Sequence, residues 1–315
     1  MEYYPLSKDL IPKLSELFSD IVRIWCKWHK TTPDDYSAVI ERWKLMIAKG
    51  ELLGLVGIHD GQAVSMIWKE QPQPTYATVV VHSLGNVEDL GIVHTFIEQN
   101  FVSNLVFELI QYTDGFGYRD TFIDHGFFEK ERQRMVFEIP ENFQDLDYDQ
   151  SIEFIPIQGD SDTVAKLSCK AHFSRKFIEG YAEFTIEEKR KTMSEKLHYS
   201  PGSDYLDYAS LLMKVDGKVV GVCEVVTWKI WGDEPIAWIM DIAIDPAHHG
   251  LGYGYQLLHK LVYQLKNKHQ MPKVGLSVTL SNTGAKSLYD RFGFKDYEFY
   301  VEMIDPQAIK NQASS

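Results

Sequence analysis

Three glycines stand at alternate positions where an apolar segment meets an amphipathic one. The apolar segment is Ile-Ala-Ile at 242–244, and from Leu257 onward apolar residues recur at helical spacing. The glycines are Gly250, Gly252 and Gly254. A helix start leaves unpaired N–H groups and the positive end of a dipole, and glycine lets a ligand approach the backbone closely. The pattern therefore predicts a turn that can bind phosphate oxygens.

Other readings of this turn stay open on the residues alone. The dinucleotide-binding fingerprint needs Gly-x-Gly-x-x-Gly, and Tyr255 stands where its last glycine belongs. The Gly-Lys-Ser/Thr ending of a P-loop is absent from this turn. What remains is Gly-x-Gly between a strand and a helix, which also occurs in turns that hold no ligand. The spacing alone does not decide between these alternatives.

A second segment, 278–294, combines an amide and a phenol with helical spacing. Its residues at i, i+3, i+4 and i+7 are Ala285, Leu288, Tyr289 and Phe292. Asn282 precedes them, at the position that is typical of a helix N-cap. On residue types alone, Asn282 is a helix cap and Tyr289 is a buried aromatic.

Two carboxylates lie in segments that are otherwise apolar. Glu224 is part of Val-Cys-Glu-Val-Val, and Asp241 is part of Met-Asp-Ile at the start of the apolar segment before the glycines. A carboxylate in a buried strand costs free energy unless it is paired or functional. Each residue is therefore a candidate functional group, with a salt bridge or a solvent-facing position as the alternative.

Both motif-bearing segments resemble signatures of the GNAT superfamily of N-acetyltransferases. The turn resembles the acetyl-CoA-binding motif Gln/Arg-x-x-Gly-x-Gly/Ala, although His249 stands where the family usually has Arg or Gln. Pro246 lies three residues before the motif, as is common in the family. The second segment resembles Asn-x-x-Ala-x-x-x-Tyr-x-x-x-Gly-Phe at the expected distance downstream. The motifs and their strand-helix context agree with the family over residues 152–304.

The resemblance implies acetyl-CoA as co-substrate and no metal. In the family, the strand before the turn contacts the pantetheine arm through its backbone, and the amides of the turn cradle the pyrophosphate. The cofactor-binding residues carried over in this way are Ile242, Ala243, Ile244, His249, Gly250, Leu251, Gly252, Tyr253, Gly254, Tyr255 and Asn282.

The resemblance also implies a chemical role for Tyr289. The tyrosine of the family places its hydroxyl near the CoA sulfur, where it protonates the leaving thiolate as a general acid. The acceptor amine must lose a proton before it attacks, and Glu224 and Asp241 are the candidate catalytic bases. We expect an N-acetyltransferase that acts on a primary amine of a small molecule or peptide. The alternative is a non-catalytic acyl-CoA-binding sensor or interaction protein on the same fold.

The elements that position these residues are predicted twice along the chain. Asp-Gly turns at 60–61 and 216–217 each join two apolar runs, which is a strong hairpin signal. An acidic, polar stretch at 140–150 lacks a periodic apolar face and predicts a boundary. We expect an α/β (α+β) fold with two GNAT-like domains, 1–145 and 151–315. Each is expected to be a mixed, mostly antiparallel sheet flanked by helices.

Residue patterns in the second half predict an alternation of strands and helices. Strands are predicted at 153–157, 210–215, 219–228, 237–244, 273–280 and 297–303. Helices are predicted at 161–173, 186–197 and 283–291, and directly after the glycine turn.

The first half lacks the functional residues of the second. Its segment 82–92 replaces the glycine turn, and Glu88 and Asp89 would repel a pyrophosphate at the following helix start. Phe122 stands where the second half has Tyr289, and phenylalanine cannot donate a proton. We therefore expect a degenerate GNAT-like domain that binds no CoA and packs against, stabilises or helps enclose the other one.

Composition narrows the class of protein further. The chain has 315 residues and a formal net charge of −13, without a basic stripe, so nucleic acid is not an expected partner. Its three cysteines are too few and too scattered for a disulfide framework or a zinc site. Neither a signal peptide nor a membrane-spanning run is evident. We expect a cytoplasmic monomer or homodimer that does not contact a membrane.

Overall fold

The structure, a computed structural model, divides into two compact units. The first unit is Met1–Lys130 together with the segment that begins at Tyr300, and the second unit is Glu131–Phe299. The structure describes residues 1–29, 37–70, 76–86, 88–103, 105–111, 117–157, 160–173, 205–228 and 235–307. The helix predicted at 186–197 lies outside these residues.

The first unit is a mixed sheet with helices. Its strands follow the order β1-β2-β3-β4-β5, and all neighbours are antiparallel except the parallel pair β4 and β5. The strands are β1 (Glu2–Pro5), β2 (Leu52–His59), β3 (Gln62–Glu70), β4 (Tyr76–Ser83) and β5 (Val106–Gln111). The helices are α1 (Ser15–His29), α2 (Ser37–Lys49), α3 (Leu90–Glu98) and α4 (Gly117–Asp124).

The second unit has the same type of sheet. Its strand order is β6-β11-β10-β9-β8-β7, and only β10 and β11 are parallel. The strands are β6 (Phe128–Glu138), β7 (Ile152–Pro156), β8 (Leu211–Val215), β9 (Lys218–Trp228), β10 (Ile236–Ile244) and β11 (Lys273–Thr279). A further strand, β12 (Lys295–Ile304), begins in the second unit and continues into the first at Tyr300. The helices are α5 (Ser161–Phe173), α6 (Tyr253–His269) and α7 (Thr283–Phe292). The predicted fold class, mixed sheets with flanking helices, is confirmed.

Both predicted Asp-Gly hairpins are present. Asp60 and Gly61 join β2 to β3 with φ angles of 49° and 79°, and Asp216 and Gly217 join β8 to β9 with 48° and 74°. Positive φ at both central residues is the requirement of a type I′ turn, whose twist matches that of the flanking strands. The local sequence therefore determines these two connections.

The sheet of the second unit has a separate core on each face, because successive side chains of a strand point to opposite sides. Apolar residues of α6 and α7 pack against one face, which includes Cys223 and Val225 of β9. Val164 and Leu167 of α5 pack against the other face, which includes Val222. We refer to these two faces of the sheet as the α6 face and the α5 face.

Within the described residues, no helix is both long and apolar enough to cross a membrane.

Each half of the chain ends in a strand that pairs within the other unit. These strands are β6 in the first half and β12 in the second. In β6, residues 132–138 pair with β11 in the second unit, whereas residues 301–304 of β12 pair with β5 in the first. The units therefore differ from the predicted ranges 1–145 and 151–315, because 131–145 belongs to the second unit and the segment from Tyr300 to the first. The residues of a strand do not specify which sheet edge it joins, so only tertiary packing selects one.

The stretch predicted as a boundary belongs to the second unit. Phe143 stacks on His259 of α6 with ring centroids 4.6 Å apart, and Asp145 forms an ion pair with Lys260. These are isolated contacts without a periodic apolar face, so the sequence pattern predicted an irregular segment but not the surface on which it lies.

Truncation of Met303 tests the strand exchange. Met303 is fully buried in the first unit and lies opposite Phe107 of β5. Met303→Ala should lower the free energy of unfolding by about 2–5 kcal/mol, because it leaves a cavity. Hydrogen exchange followed by mass spectrometry should show faster exchange in β5 and unchanged exchange in β11.

Met135→Ala is the matched control. Met135 of β6 is buried in the second unit opposite Leu276 of β11, so its truncation should give the reverse pattern. Faster exchange in β11 on truncation of Met303, with β5 unchanged, would contradict the observed strand order.

Candidate active site

Strand β10 contains a β-bulge in its ladder with β9, and its ladder with β11 ends at the same level. The register with β9 shifts between Ile239 and Asp241, so Met240 is the additional residue, and it is 51% exposed. The parallel ladder with β11 ends at the same level, with Ile239 opposite Leu276. Within 235–307, all described, the β10 residues after the bulge pair with β9 and not with β11. Their backbone edge can accept an extended ligand as a strand would.

The turn after β10 is fixed by hydrogen bonds within the turn and from α5. The Asp245 carboxylate accepts from the backbone N–H of Ala247 at 3.0 Å and from Lys170 Nζ at 2.7 Å. The hydrogen bond from Lys170 lowers the pKa of Asp245. His249 Nε2 lies 2.8 Å from the carbonyl oxygen of Ile244. The imidazole therefore closes the turn onto the end of β10.

Two glycines of the turn have a backbone conformation that side chains rarely adopt. Gly250 and Gly252 have φ angles of +80° and +82°, and a Cβ at either position would meet no atom within 4 Å. Gly252 caps α6, which begins at Tyr253, without a side-chain hydrogen bond. The helix start thus combines open space in front of the glycines with N–H groups that suit an anion.

The third glycine allows α6 and α7 to approach each other. A Cβ on Gly254 would lie 3.3 Å from Leu288 Cδ2, which is tighter than an ordinary van der Waals contact. Asn282 caps α7, because its side-chain oxygen accepts from the backbone N–H of Ala285 at 3.3 Å. The N-cap predicted from the residue type is confirmed.

Tyr289 lies in the hydrophobic core on the α6 face. Its side chain is part of the main cluster, the residue is 6% exposed, and its ring centroid is 5.8 Å from that of Phe294. Ala285 and Leu288 pack against the same cluster. The spacing that predicted one apolar helix face is therefore correct, and it includes the phenol.

The two candidate carboxylates are direct neighbours. Asp241 of β10 is the register partner of Glu224 of β9, and both residues are buried. Direct partners of an antiparallel pair have Cβ atoms roughly 4.5–5.5 Å apart on the same face, and like charges there are destabilising. Two buried carboxylates in this arrangement require compensating groups around them.

Helix α5 supplies such groups to Asp241. Ser168 Oγ donates a hydrogen bond to Asp241 Oδ2, and His172 Nε2 lies 3.1 Å from Oδ1. Ser168 and His172 are four residues apart, so both side chains lie on the helix face toward the strand. Neither residue was predicted as a site residue from the sequence. The available signal was a serine and a histidine at i and i+4 on the apolar face of a predicted helix.

The surroundings of Glu224 are also buried. The pKa of the Tyr205 phenol is raised overall, with burial as the largest cause. A hydrogen bond with Ser210 opposes this rise, and the nearby Glu224 carboxylate adds to it. Burial likewise raises the pKa of the Cys223 thiol, with Glu224 and Asp241 adding to the effect. Cys223 is therefore a structural thiol and not a nucleophile.

The predicted site residues thus form two groups in the second unit. Residues 242–244 and 249–255 are contiguous at the end of β10 and the start of α6. Glu224 and Asp241 lie together on the α5 face, whereas Tyr289 packs on the α6 face. Among the residues that the structure describes, no group of three or more His, Cys, Asp or Glu side chains could hold a metal ion.

Comparison with known proteins agrees with this geometry. Residues 175–294 match the acetyltransferase (GNAT) family. That segment of the chain is similar to GNAT acetyltransferases. Over 93 residues, 29% of this chain, it is 34% identical to the [ribosomal protein bS18]-alanine N-acetyltransferase of Haemophilus influenzae. The match spans 58% of that relative's length.

Two solved GNAT structures share the fold over nearly the whole chain. A GCN5-related N-acetyltransferase from Sphaerobacter thermophilus has a TM-score of 0.63 at 16% identity, covering 96% of this chain and 95% of that one. A tandem GNAT protein from the clavulanic acid biosynthesis pathway has a TM-score of 0.54 at 13% identity, covering 96% and 98%. At these identities the likeness shows the fold alone, and the predicted GNAT fold is confirmed.

The N-cap of α7 can be tested by substitution at Asn282. Asn282→Ala removes the side-chain acceptor for the Ala285 N–H, so the free energy of unfolding should fall by about 1 kcal/mol. Asn282→Ser keeps an acceptor and should restore most of that loss. Urea titration measures both. An Ala variant as stable as the parent would exclude a stabilising cap.

Proposed function

We propose that the second unit is an acetyl-CoA-dependent N-acetyltransferase that acts on a primary amine. The observation that carries this proposal is the end of the β10–β11 ladder at Ile239 and Leu276, followed along the chain by the unpaired edge of β10 and a glycine-capped helix start at Tyr253. The gap offers backbone hydrogen-bonding groups to a pantetheine arm, and the helix start offers N–H groups to a pyrophosphate. The match to the GNAT family supports the same assignment.

The cofactor-binding residues follow the order of the chain. The backbone of Ile242, Ala243 and Ile244 would hold the pantetheine arm. The turn from His249 to Tyr255 would cradle the pyrophosphate, with His249 fixed on the Ile244 carbonyl. That hydrogen bond uses the ring to order the turn, which is a different role from the charge that the family's usual arginine supplies.

Acetyl-CoA supplies an activated acetyl thioester. The residues of this chain exclude water, orient the acceptor amine and move protons. Tyr289, buried beside the glycine-capped helix, is the proposed general acid that returns a proton to sulfur. Glu224 and Asp241, the candidate catalytic bases of the sequence, form the proposed acidic centre that attracts the amine and promotes its deprotonation. An amine that is protonated near neutral pH is the acceptor class that such carboxylates favour.

Among its described residues, the first unit has a longer parallel ladder than the second. Strand β4 pairs with β5 from Tyr76 opposite Val106 to Val81 opposite Gln111, whereas β10 pairs with β11 only from Ala237 to Ile239. Its ladder with β3 runs without a register shift. Phe122, at the position of the proposed acid, is fully buried in the core. We therefore propose a degenerate GNAT-like unit that binds no CoA.

The start of α3 in the first unit is filled by its own carboxylates. Asp89 accepts hydrogen bonds from Tyr3 Oη at 2.7 Å and Ser65 Oγ at 2.5 Å. Glu88 Oε2 accepts from the backbone N–H of Gly117 at 3.0 Å. Anionic side chains thus stand where the second unit has open glycines, and a pyrophosphate would be repelled.

Gly252→Glu should sharply weaken CoA binding. The new carboxylate would extend into the open space before α6 and repel the pyrophosphate. Gly217→Glu is a matched control, because Gly217 has a φ of +74° and equally open surroundings in a hairpin turn. Both variants carry the same backbone strain, so calorimetry should show lost CoA affinity only at Gly252. Equal affinity in both variants would refute the cradle.

Tyr289→Phe tests the acid. Turnover should fall by roughly 10²–10⁴-fold, the usual effect of removing one acid or base, while CoA affinity changes little. The defect should shrink at high pH, because a thiolate can leave without a proton. Release of free thiol from acetyl-CoA measures turnover, with a panel of amines as acceptors. Normal turnover in the variant would exclude Tyr289 as the acid, and a parent inactive with every amine would favour the non-catalytic sensor.

A further inference from the structure

The end of helix α5 holds an imidazole that a buried carboxylate orients. The side chain of Asp241 is 5% exposed, whereas that of His172, 3.1 Å away, is 41% exposed. The carboxylate is fixed from its other oxygen by Ser168. The histidine can thus meet a ligand from solvent, and the aspartate behind it cannot.

The hydrogen bond with Asp241 determines which nitrogen of the His172 ring carries the proton and which is the base. An ionised carboxylate only accepts hydrogen bonds, so Nε2 of His172 must carry the proton that points at Asp241. In a neutral ring, Nδ1 then has the lone pair and is the basic nitrogen. The negative charge behind the ring stabilises the protonated imidazolium and makes Nδ1 a stronger base.

We infer that His172 is the general base for the acceptor amine and that Asp241 is its positioning residue. This inference rests on the proposed acetyl transfer. Asp241 directly follows the bulge at Met240, where the β10–β11 gap opens, so the dyad lies next to the proposed thioester position. Glu224, the register partner of Asp241, adds negative charge that attracts an ammonium group to the same face.

The proton and electron balance of the step is simple. One proton of the ammonium nitrogen passes to Nδ1 of His172, and the released lone pair forms the C–N bond. The C–S bond breaks with its electron pair on sulfur, and the Tyr289 hydroxyl donates a proton there. The second nitrogen proton leaves to solvent, which also restores the proton of Tyr289.

Among the described residues, the charged group in contact with the ring is Asp241 on β10. Glu224 on β9 is the register partner of Asp241, Tyr205 before β8 lies near Glu224, and Lys170 is on α5 itself. Lys170 is held by Asp245, so its charge is directed to the glycine turn. Asp241 is the group with a direct hydrogen bond to the ring, and its charge should dominate.

Three variants test the dyad: His172→Gln, Asp241→Asn, and His59→Gln as control. His59 is an exposed histidine of the first unit. The acceptors are benzylamine, spermidine and a peptide that begins with alanine, and the amine with the highest kcat/KM is used throughout. His172→Gln should lower kcat by roughly 10²–10⁴-fold with little change in CoA affinity, and should remove the acidic limb of the pH profile. His59→Gln should match the parent.

A second readout does not need turnover. Nuclear magnetic resonance of the ring nitrogens, assigned by the signal lost in His172→Gln, should show the Nε2–H tautomer in the parent. In Asp241→Asn the pKa of the His172 ring should fall by about one pH unit or more, and the acidic limb of kcat/KM should move to lower pH with it. An unmoved ring titration overturns the dyad.

The outcomes separate this inference from the proposed function. If the parent protein transfers acetyl groups and the His172→Gln variant is equally active, only the assignment of His172 as the base is overturned. A parent that releases no thiol with any of the amines overturns acetyl transfer and the base assignment together. Loss of the acidic limb in His172→Gln and its shift in Asp241→Asn support both.

Discussion

The second unit depends on one irregularity in its sheet. The bulge at Met240 changes the phase of β10, and the parallel ladder with β11 ends at Ile239. Before that level both edges of β10 are paired within the sheet. After it, the edge toward β11 is available to a ligand, and the next side chain, Asp241, is directed at α5. The gap and the acidic centre therefore have a common origin.

The first unit shows what the fold does without that irregularity. Its β4 pairs with β5 from Tyr76 to Val81, and side-chain carboxylates lie at the start of α3. Over these residues the hydrogen bonds that a ligand would satisfy in the second unit are satisfied within the sheet, as buried polar groups require. A stable sheet of this type thus does not imply a binding site, and the difference between the units lies in a few residues.

Sequence patterns predicted the local elements well. The Asp-Gly turns, the bounds of α5 and the cap of α7 follow from short-range chemistry, and the structure has each of them. The pairing of β6 with β11 and of β12 with β5 was not predictable, because the residues of a strand do not specify which sheet edge it joins. The bulge leaves no residue-type signal at Met240. His172 was missed because its partner is 69 residues away in sequence and only the fold joins them.

We propose that one chain offers one gap for CoA. Calorimetric titration of the full chain with CoA, combined with hydrogen exchange of the complex, tests this proposal most directly. We expect one CoA per chain, with slower exchange at 241–244 and 249–255 and no change at 82–92. Two equivalent sites per chain, or protection of 82–92 by CoA, would contradict it.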